Sequence, residues 1–412
     1  MQTNITRIKE IIDTMADFND SPGQGVTRFS YGEQDKRARG YLAKLCREIG
    51  LEVTTDAVGN MFARLEGKDP SLPVIMTGSH IDSVKCGGRF DGIAGCACAL
   101  EAARVMVENN HKPLRPLVIA FFAEEEGSNF MPLFGSKAMV GKFDVSDLKS
   151  IRTRDNTAAA YDMVKNAGFP VDRLAENVWK KGQIKAMLEL HIEQSVRLEA
   201  EGHTIGIVSG IAGITWLEVE FEGQSNHAGA TPMHLRRDAL AAASKVICRI
   251  EDMAKRAGQT TVATVGRVDV LPNVPNAIPR HVKFIVDIRD VVQSGIDQVN
   301  AEVEKAAAQA AGENNVKYSI KKITTVPPIS IPPYLTELLE QNAQKLKLDY
   351  IFMPSGALHD CCNVSELGDV GIIFIPSIDG RSHVPEEETR YEDIKAGSDL
   401  LLASLLQLTE LD

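Results

Sequence analysis

"LPVIMTGSHIDSVKCGGRFDG", residues 72–92, is an apolar run that stops at a glycine and at once presents His80, Asp82 and Asp91. A run so uniformly apolar reads as a strand buried on both faces, the kind found in parallel sheets covered by helices. Two more runs have the same form. "LVIAFFAEEEG" (117–127) ends at Glu124, Glu125 and Glu126, and "IKAMLELH" (184–191) ends at His191. Between such runs lie stretches of helical spacing, "RARGYLAKLCREIG" (37–50) and "GIAGCACALEAARVMVE" (92–108), while "LEVTTDAVGNMFARLEG" (51–67) reads as two strands around a Gly-Asn turn. The alternation predicts an α/β fold with a mainly parallel central sheet. In such sheets ligands bind beyond the carboxyl ends of the strands, so three strands ending in ionisable residues would build one shared site.

From about residue 209 the texture changes. "ITWLEVEFEG", "TTVATVGRVDVL" and "HVKFIVDIRD" alternate as half-exposed strands; "LRRDALAAASKVICRIEDMAKRAG" (235–258) reads as one long amphipathic helix and "SGIDQVNAEVEKAAAQAAG" (294–312) as another. Strands with two helices suggest an α+β module, and the Gly- and Pro-rich joints "SGIAG" (209–213) and "TTVPPISIPP" (324–333) mark it as an insertion. Residues 1–208 and 327–412 are therefore expected to form one α/β domain, and 209–326 an inserted α+β domain. The α/β pattern resumes with "GIIFIPS" and a terminal helix, "YEDIKAGSDLLLASLLQLTEL".

A chain of 412 residues is long enough for two cores. No apolar run approaches the roughly 20 residues of a membrane span. The start, "MQTNITRIKEIIDTMADF", places Ile5, Ile8, Ile11, Ile12 and Met15 on one helical face and lacks a signal peptide's apolar core, so a cytoplasmic location is expected. Seven cysteines without a CxxC pair point to buried, reduced thiols. A net charge of −11 with no basic stripe excludes nucleic acid as a partner, although a small anion could be caught by a placed arginine.

His and carboxylate residues clustered at one edge suit a hydrolytic metal site. Two divalent ions about 3.5–4 Å apart can share a carboxylate and activate a water. The candidates are His80, Asp91, one of Glu124–Glu126, His191, and His383 from the later "DGRSHVPEE". Asp82 could receive the second N–H of His80 and fix its tautomer. Of two adjacent glutamates, one can bind metal while its neighbour takes a proton. Singly, each feature has a plainer explanation, a hydrogen-bonded histidine or a solvated acidic turn. Together, behind three strands too apolar to be exposed, they are harder to dismiss, and from the residues alone a metal hydrolase stands level with the plainer readings.

The set "GSHIDSV", "GGRFDG", "AEEEGSNF", "ELHIEQ", "NHAGATP", "PNAIP", "DIRD", "PSGALHD" and "DGRSHVPEE" resembles the signatures of the hydantoinase/carbamoylase-type amidases, from about residue 25 to the end. These two-metal enzymes, within the clan of aminoacylases and di-zinc carboxypeptidases, hydrolyse N-carbamoyl-L-amino acids, allantoate and related ureido compounds. The resemblance implies that the α/β domain is catalytic and that the insertion, 209–326, is a lid or dimerisation domain. It makes Asp91 the bridging ligand, His80 and His191 its partners on one metal, Glu126 and His383 those on the other, and Glu125 the general base. His191 stands where the peptidase branch usually has a carboxylate. Zinc, manganese, nickel and cobalt all suit these ligands, and manganese is a common activating metal of the family. For a substrate carboxylate, Arg289 of "DIRD" offers a bidentate fork, in competition with an ion pair to Asp287 or Asp290. Asn276, Gln194, Ser355 and Gly356 would line the same pocket. His227 is implied to reach across a homodimer and polarise the scissile carbonyl. "SGIAGITWLEVEFEG" leans toward N-carbamoyl-L-amino acid hydrolysis. "AEEEGSNF" leans toward allantoate and purine breakdown, and Cys361 and Cys362 match neither pattern. A binding relative without catalysis is disfavoured, because all five ligands and Glu125 are present.

Overall fold

The computed structural model describes residues 1–411. They form two compact units, one of Met1–Ser209, Ile331–Met353 and Leu358 onward, the other of Gly210–Ser330 with Pro354–Ala357. Along the chain the strands are β1 (Glu52–Thr55), β2 (Met61–Leu65), β3 (Val74–His80), β4 (Leu117–Phe122), β5 (Ile184–Ile192) and β6 (Ile205–Ile211). Then come β7 (Gly213–Glu222), β8 (Val262–Leu271), β9 (His281–Asp290), β10 (Lys317–Val326), β11 (Ile329–Ser330), β12 (Tyr350–Ser355) and β13 (Asp369–Ile375).

The first unit is built on a sheet of order β1-β2-β4-β3-β5-β13-β6, with β12 also paired to β6. Its central strands β4, β3, β5 and β13 are mutually parallel, and β2 and β6 extend it antiparallel. This is a mixed α/β architecture with a mainly parallel sheet. Every residue of β3 and β4 is buried, which explains their unbroken apolar sequences. The helix Ile93–Glu108 packs on β3, β4 and β5 and on the terminal helix Tyr391–Leu408. The first helix, Ile5–Asp17, buries Ile8, Ile11, Ile12 and Met15 and packs on the same pair, while Ile5 is half-buried. The register sets His80 beside Phe122 and His191 beside Phe374, so the carboxyl ends of the four parallel strands share one edge.

The second unit is a four-stranded antiparallel sheet, β10-β7-β9-β8. One of its faces, with Leu217, Val219, Phe221, Val282, Phe284, Val286 and Ile288, forms a core with the helices Ala239–Ile247, Ile250–Ala257 and Gln293–Asn314. The expected single helix over 235–258 is two. Asp238 caps the first by accepting from the amides of Leu240 and Ala241, leaving 235–238 outside. At its far end the Arg249 amide bonds to the Val246 carbonyl, three residues back rather than four, which tightens the turn before the second helix. Residues 327–330 and 354–357, expected in the catalytic part, sit with the second unit. Ile329 and Ser330 pair with Ile211 and Gly210, and the Ser355 carbonyl accepts from the amide of Ala212.

Among the described residues no helix is long and apolar enough to cross a membrane, and the seven cysteines are free thiols, five of them buried.

Candidate metal centre

His80 ends β3, and His191 is the penultimate residue of β5. Each imidazole spends Nδ1 on a backbone carbonyl, that of Asp82 at 3.0 Å for His80 and that of Ile192 at 2.9 Å for His191. A carbonyl only accepts, so Nδ1 carries a proton in both rings, and in the neutral imidazole Nε2 is a bare lone pair. Both Nε2 atoms face Asp91 Oδ1, at 3.3 Å and 3.1 Å, and this buried oxygen has no hydrogen-bond donor. Asp91 is brought there by the turn before the helix Ile93–Glu108. Gly92 in that turn has φ +66°, and a Cβ would lie 2.5 Å from the His80 carbonyl oxygen.

Beyond β4 the chain turns sharply, with Glu124 at φ +57°. The buried Glu124 carboxylate accepts from the amides of Asn129 and Phe130 and from Asn129 Nδ2, so it braces the loop instead of facing the histidines. Burial and the neighbouring Asp82 push its pKa up to about 8 against those hydrogen bonds. Glu125 and Glu126 hang their backbone amides on the two oxygens of Asp82, at 3.0 Å and 3.2 Å. This corrects the expected role of Asp82. It fixes the His80 tautomer through its backbone carbonyl, and its carboxylate, 3.9 Å from Nδ1, anchors the glutamate loop. Two amide donors have no other partner so close, whereas Nδ1 is already satisfied.

Glu126 Oε1 lies 3.3 Å from His383 Nε2, which in turn is 3.2 Å from Asp91 Oδ2. The same Oδ2 accepts from Gln194 Nε2 and from Ser382 Oγ, both at 2.8 Å. Gln194 adopts φ +57°, and its amide donates to Ser377 Oγ. Glu125 Oε2 approaches His80 Nε2 to 3.9 Å, and no hydrogen bond among the described residues reaches the Glu125 carboxylate.

Two donor sets therefore meet at one aspartate, His80 and His191 at Oδ1, and Glu126 and His383 at Oδ2. Among the described residues the ion pairs of Asp82, Asp91, Glu125 and Glu126 are with histidines alone. The proton affinities register the shortage of positive charge. Burial pushes the Glu125 carboxyl well up, with Glu126, Asp360 and Asp82 adding to it against His80. Burial likewise takes Glu126 up to about 7. The hydrogen bond to Asp91, against burial, raises His383 to about 9. Against burial, His191, His383 and His80 hold Asp91 well below the carboxylate range. Converging lone pairs on a donorless buried oxygen fit a divalent cation, and this N/O donor set suits zinc or manganese.

The remaining expected site residues lie in the second unit. His227 is exposed, and its Nδ1 accepts from the amides of Gly229 and Ala230 at 3.1 Å and 3.2 Å, which leaves the proton on Nε2. It bridges in β fashion to Ala277, next to Asn276, whose carbonyl accepts from Ala228. Arg289 on β9 pairs with Asp287 through Nε at 2.9 Å and Nη2 at 3.0 Å, and Nη1 donates to the Gly356 carbonyl at 2.9 Å. The ion pair with Asp287 is thus formed, while Asp290 accepts from Thr260 and Thr261. Ser355 is buried at the end of β12 and its Oγ donates to the Ala357 carbonyl.

Three site neighbours escaped the sequence reading. Glu387, Ser382 and His359 are bland in sequence, a second acidic residue after "HVP", a loop serine and a histidine in "ALHD". His359 is buried with its ring 4.7 Å from that of His191, edge to face.

Residues 76–407 match the model of peptidase family M20/M25/M40. An N-carbamoyl-L-amino acid amidohydrolase of Geobacillus stearothermophilus is 37% identical over 405 residues, covering 98% of each chain. An allantoate amidohydrolase of Escherichia coli (strain K12) is 33% identical, covering 97% of each. A hydantoinase/carbamoylase family amidase from Burkholderia multivorans superposes with a TM-score of 0.91 at 32% identity, covering 98% of each chain. The matched span carries Asp91 and the four residues that meet at it, and the chain belongs to peptidase family M20/M25/M40 as an amidohydrolase of the hydantoinase/carbamoylase type.

Proposed function

We propose that the protein hydrolyses the ureido C–N bond of N-carbamoyl-L-amino acids, releasing the amino acid, ammonia and carbon dioxide. The observation that carries this reading is the convergence of His80, His191 and His383 Nε2 with Glu126 on the two oxygens of Asp91. Relatives named for that substrate class support it, among them the Geobacillus protein. Two divalent ions held there, manganese or zinc, would polarise the carbonyl and acidify a water.

The chain's own groups do the rest. Glu125 takes the proton of the attacking water and returns it to the leaving nitrogen, a double task suited to a carboxyl whose proton affinity burial has raised. His227, protonated on Nε2, donates to the carbonyl oxygen as negative charge develops there. Arg289 is oriented by Asp287 and Gly356 with three of its five N–H donors, leaving one on each terminal nitrogen for the substrate carboxylate. Asn276, Gln194, Ser355 and Gly356 are assigned contacts to the carboxylate or the ureido group. In this reading the second unit is a lid and dimerisation module, His227 acts in the partner's site of a homodimer, and the protein works in the cytoplasm.

Allantoate is the second reading, favoured by the Escherichia coli relative, and it would use the same site. Comparing kcat/KM for a panel of N-carbamoyl-L-amino acids with that for allantoate tests the assignment. Preference for the panel supports it, and turnover of allantoate alone replaces it with a role in purine breakdown.

A further inference from the structure

Glu387 lies in the loop before the terminal helix, is 3% exposed, and accepts from three backbone amides while sharing the one proton of the Ser382 hydroxyl with Asp91. Oε1 takes the amides of Phe90 at 2.9 Å and Asp91 at 3.0 Å. Oε2 takes Ser382 Oγ at 3.1 Å and the His383 amide at 3.3 Å. One carboxylate thereby ties together two loops that lie far apart in the chain and carry two residues of the same donor set. The approach is close enough that a Cβ on Gly88 would fall 2.1 Å from the Glu387 carboxyl.

His383 needs such a tie more than the other two histidines. The side chains of His80 and His191 are 3% and 2% exposed and bonded through Nδ1, whereas that of His383 is 46% exposed. Among the described residues no hydrogen bond reaches its Nδ1. Its backbone has φ +62°, a left-handed conformation that a non-glycine residue keeps only where its surroundings enforce it. The amide contact to Glu387 lies at that strained residue, and Ser382 Oγ, between Glu387 Oε2 and Asp91 Oδ2, reaches both.

We propose that Glu387 is a positioning residue of the metal centre, setting the distance between Asp91 and His383 and so the affinity of the ion held by Asp91, Glu126 and His383. The proposal rests on the two-metal reading of the site. Glu387→Gln is the informative change. It preserves size and one carbonyl acceptor, and whichever way the amide turns, one of the two donor pairs meets an NH2.

The test is calorimetric titration of manganese(II) into chelator-stripped protein, with the melting temperature of the stripped protein as a control on folding. Wild-type protein should bind two ions. In Glu387→Gln one site should weaken about 10- to 100-fold while the other is kept, and excess manganese should restore kcat with KM unchanged. An unchanged isotherm would overturn the role. So would equal weakening of both sites together with a collapsed melting temperature, since that describes a scaffold residue. If Glu387→Gln does not fold, Ser382→Ala breaks the same link, and one site should weaken about fivefold; no change there also overturns it. Wild-type protein that binds no manganese would instead overturn the two-metal reading on which the role depends.

Discussion

His191 Nε2 stands 3.1 Å from Asp91 Oδ1 while its Nδ1 is committed to the Ile192 carbonyl, so in the neutral ring a lone pair faces a lone pair. His80 repeats the arrangement from the other side. A positive charge makes it favourable, either a proton on Nε2 or a metal ion held between the two atoms.

Metal removal should therefore destabilise the fold as well as abolish activity. An ion at 100 times its Kd contributes about 2.7 kcal/mol by mass action. Thermal melting after dialysis against a chelator should drop, and added manganese should restore it. Asp91→Asn should lose this response and more than about 100-fold in activity, beyond what the loss of a supporting residue costs.

Glu125→Gln should leave metal content intact. If Glu125 is the group that takes and returns the proton, kcat should fall by about 10² to 10⁴ with little change in KM. Metal analysis beside steady-state kinetics checks both halves.

Arg289→Lys keeps the charge and loses the planar fork. If Arg289 holds the substrate carboxylate, losing that charge-assisted hydrogen bond should raise KM about 10- to 100-fold. A neutral ureido analogue without a carboxylate should be hydrolysed equally by both proteins.

If His227 serves the partner's site, two inactive proteins should complement each other. Mixing Glu125→Gln with His227→Ala and allowing subunit exchange should recover about a quarter of wild-type activity, from the one intact site in each mixed dimer of a symmetric pair. A fully active monomer, seen by sizing the protein at assay concentration, would exclude the cross-subunit role.

The strand ends were legible because strands buried on both faces leave continuous apolar runs, and His80, Glu124–Glu126 and His191 stand where those runs stop. Ligand geometry was less so. That Asp82 fixes His80 by its carbonyl and the glutamate loop by its carboxylate depends on the turn after β3, and composition carries no trace of that. Nor does "HVPEE" say which glutamate is buried, because the Glu387 contacts come from Phe90 and Asp91, on a loop far away in the chain. The break at Cys248–Arg249 was hidden for a similar reason. Both halves share one hydrophobic periodicity, and only a tightened hydrogen bond separates them.

Ammonia release from an N-carbamoyl-L-amino acid, followed as manganese is added back to metal-stripped protein, is the most direct measurement. Release should be absent without metal, rise with added ion and saturate at two equivalents per chain. Full turnover by stripped protein, or none with two ions bound, would contradict a two-metal carbamoyl hydrolase.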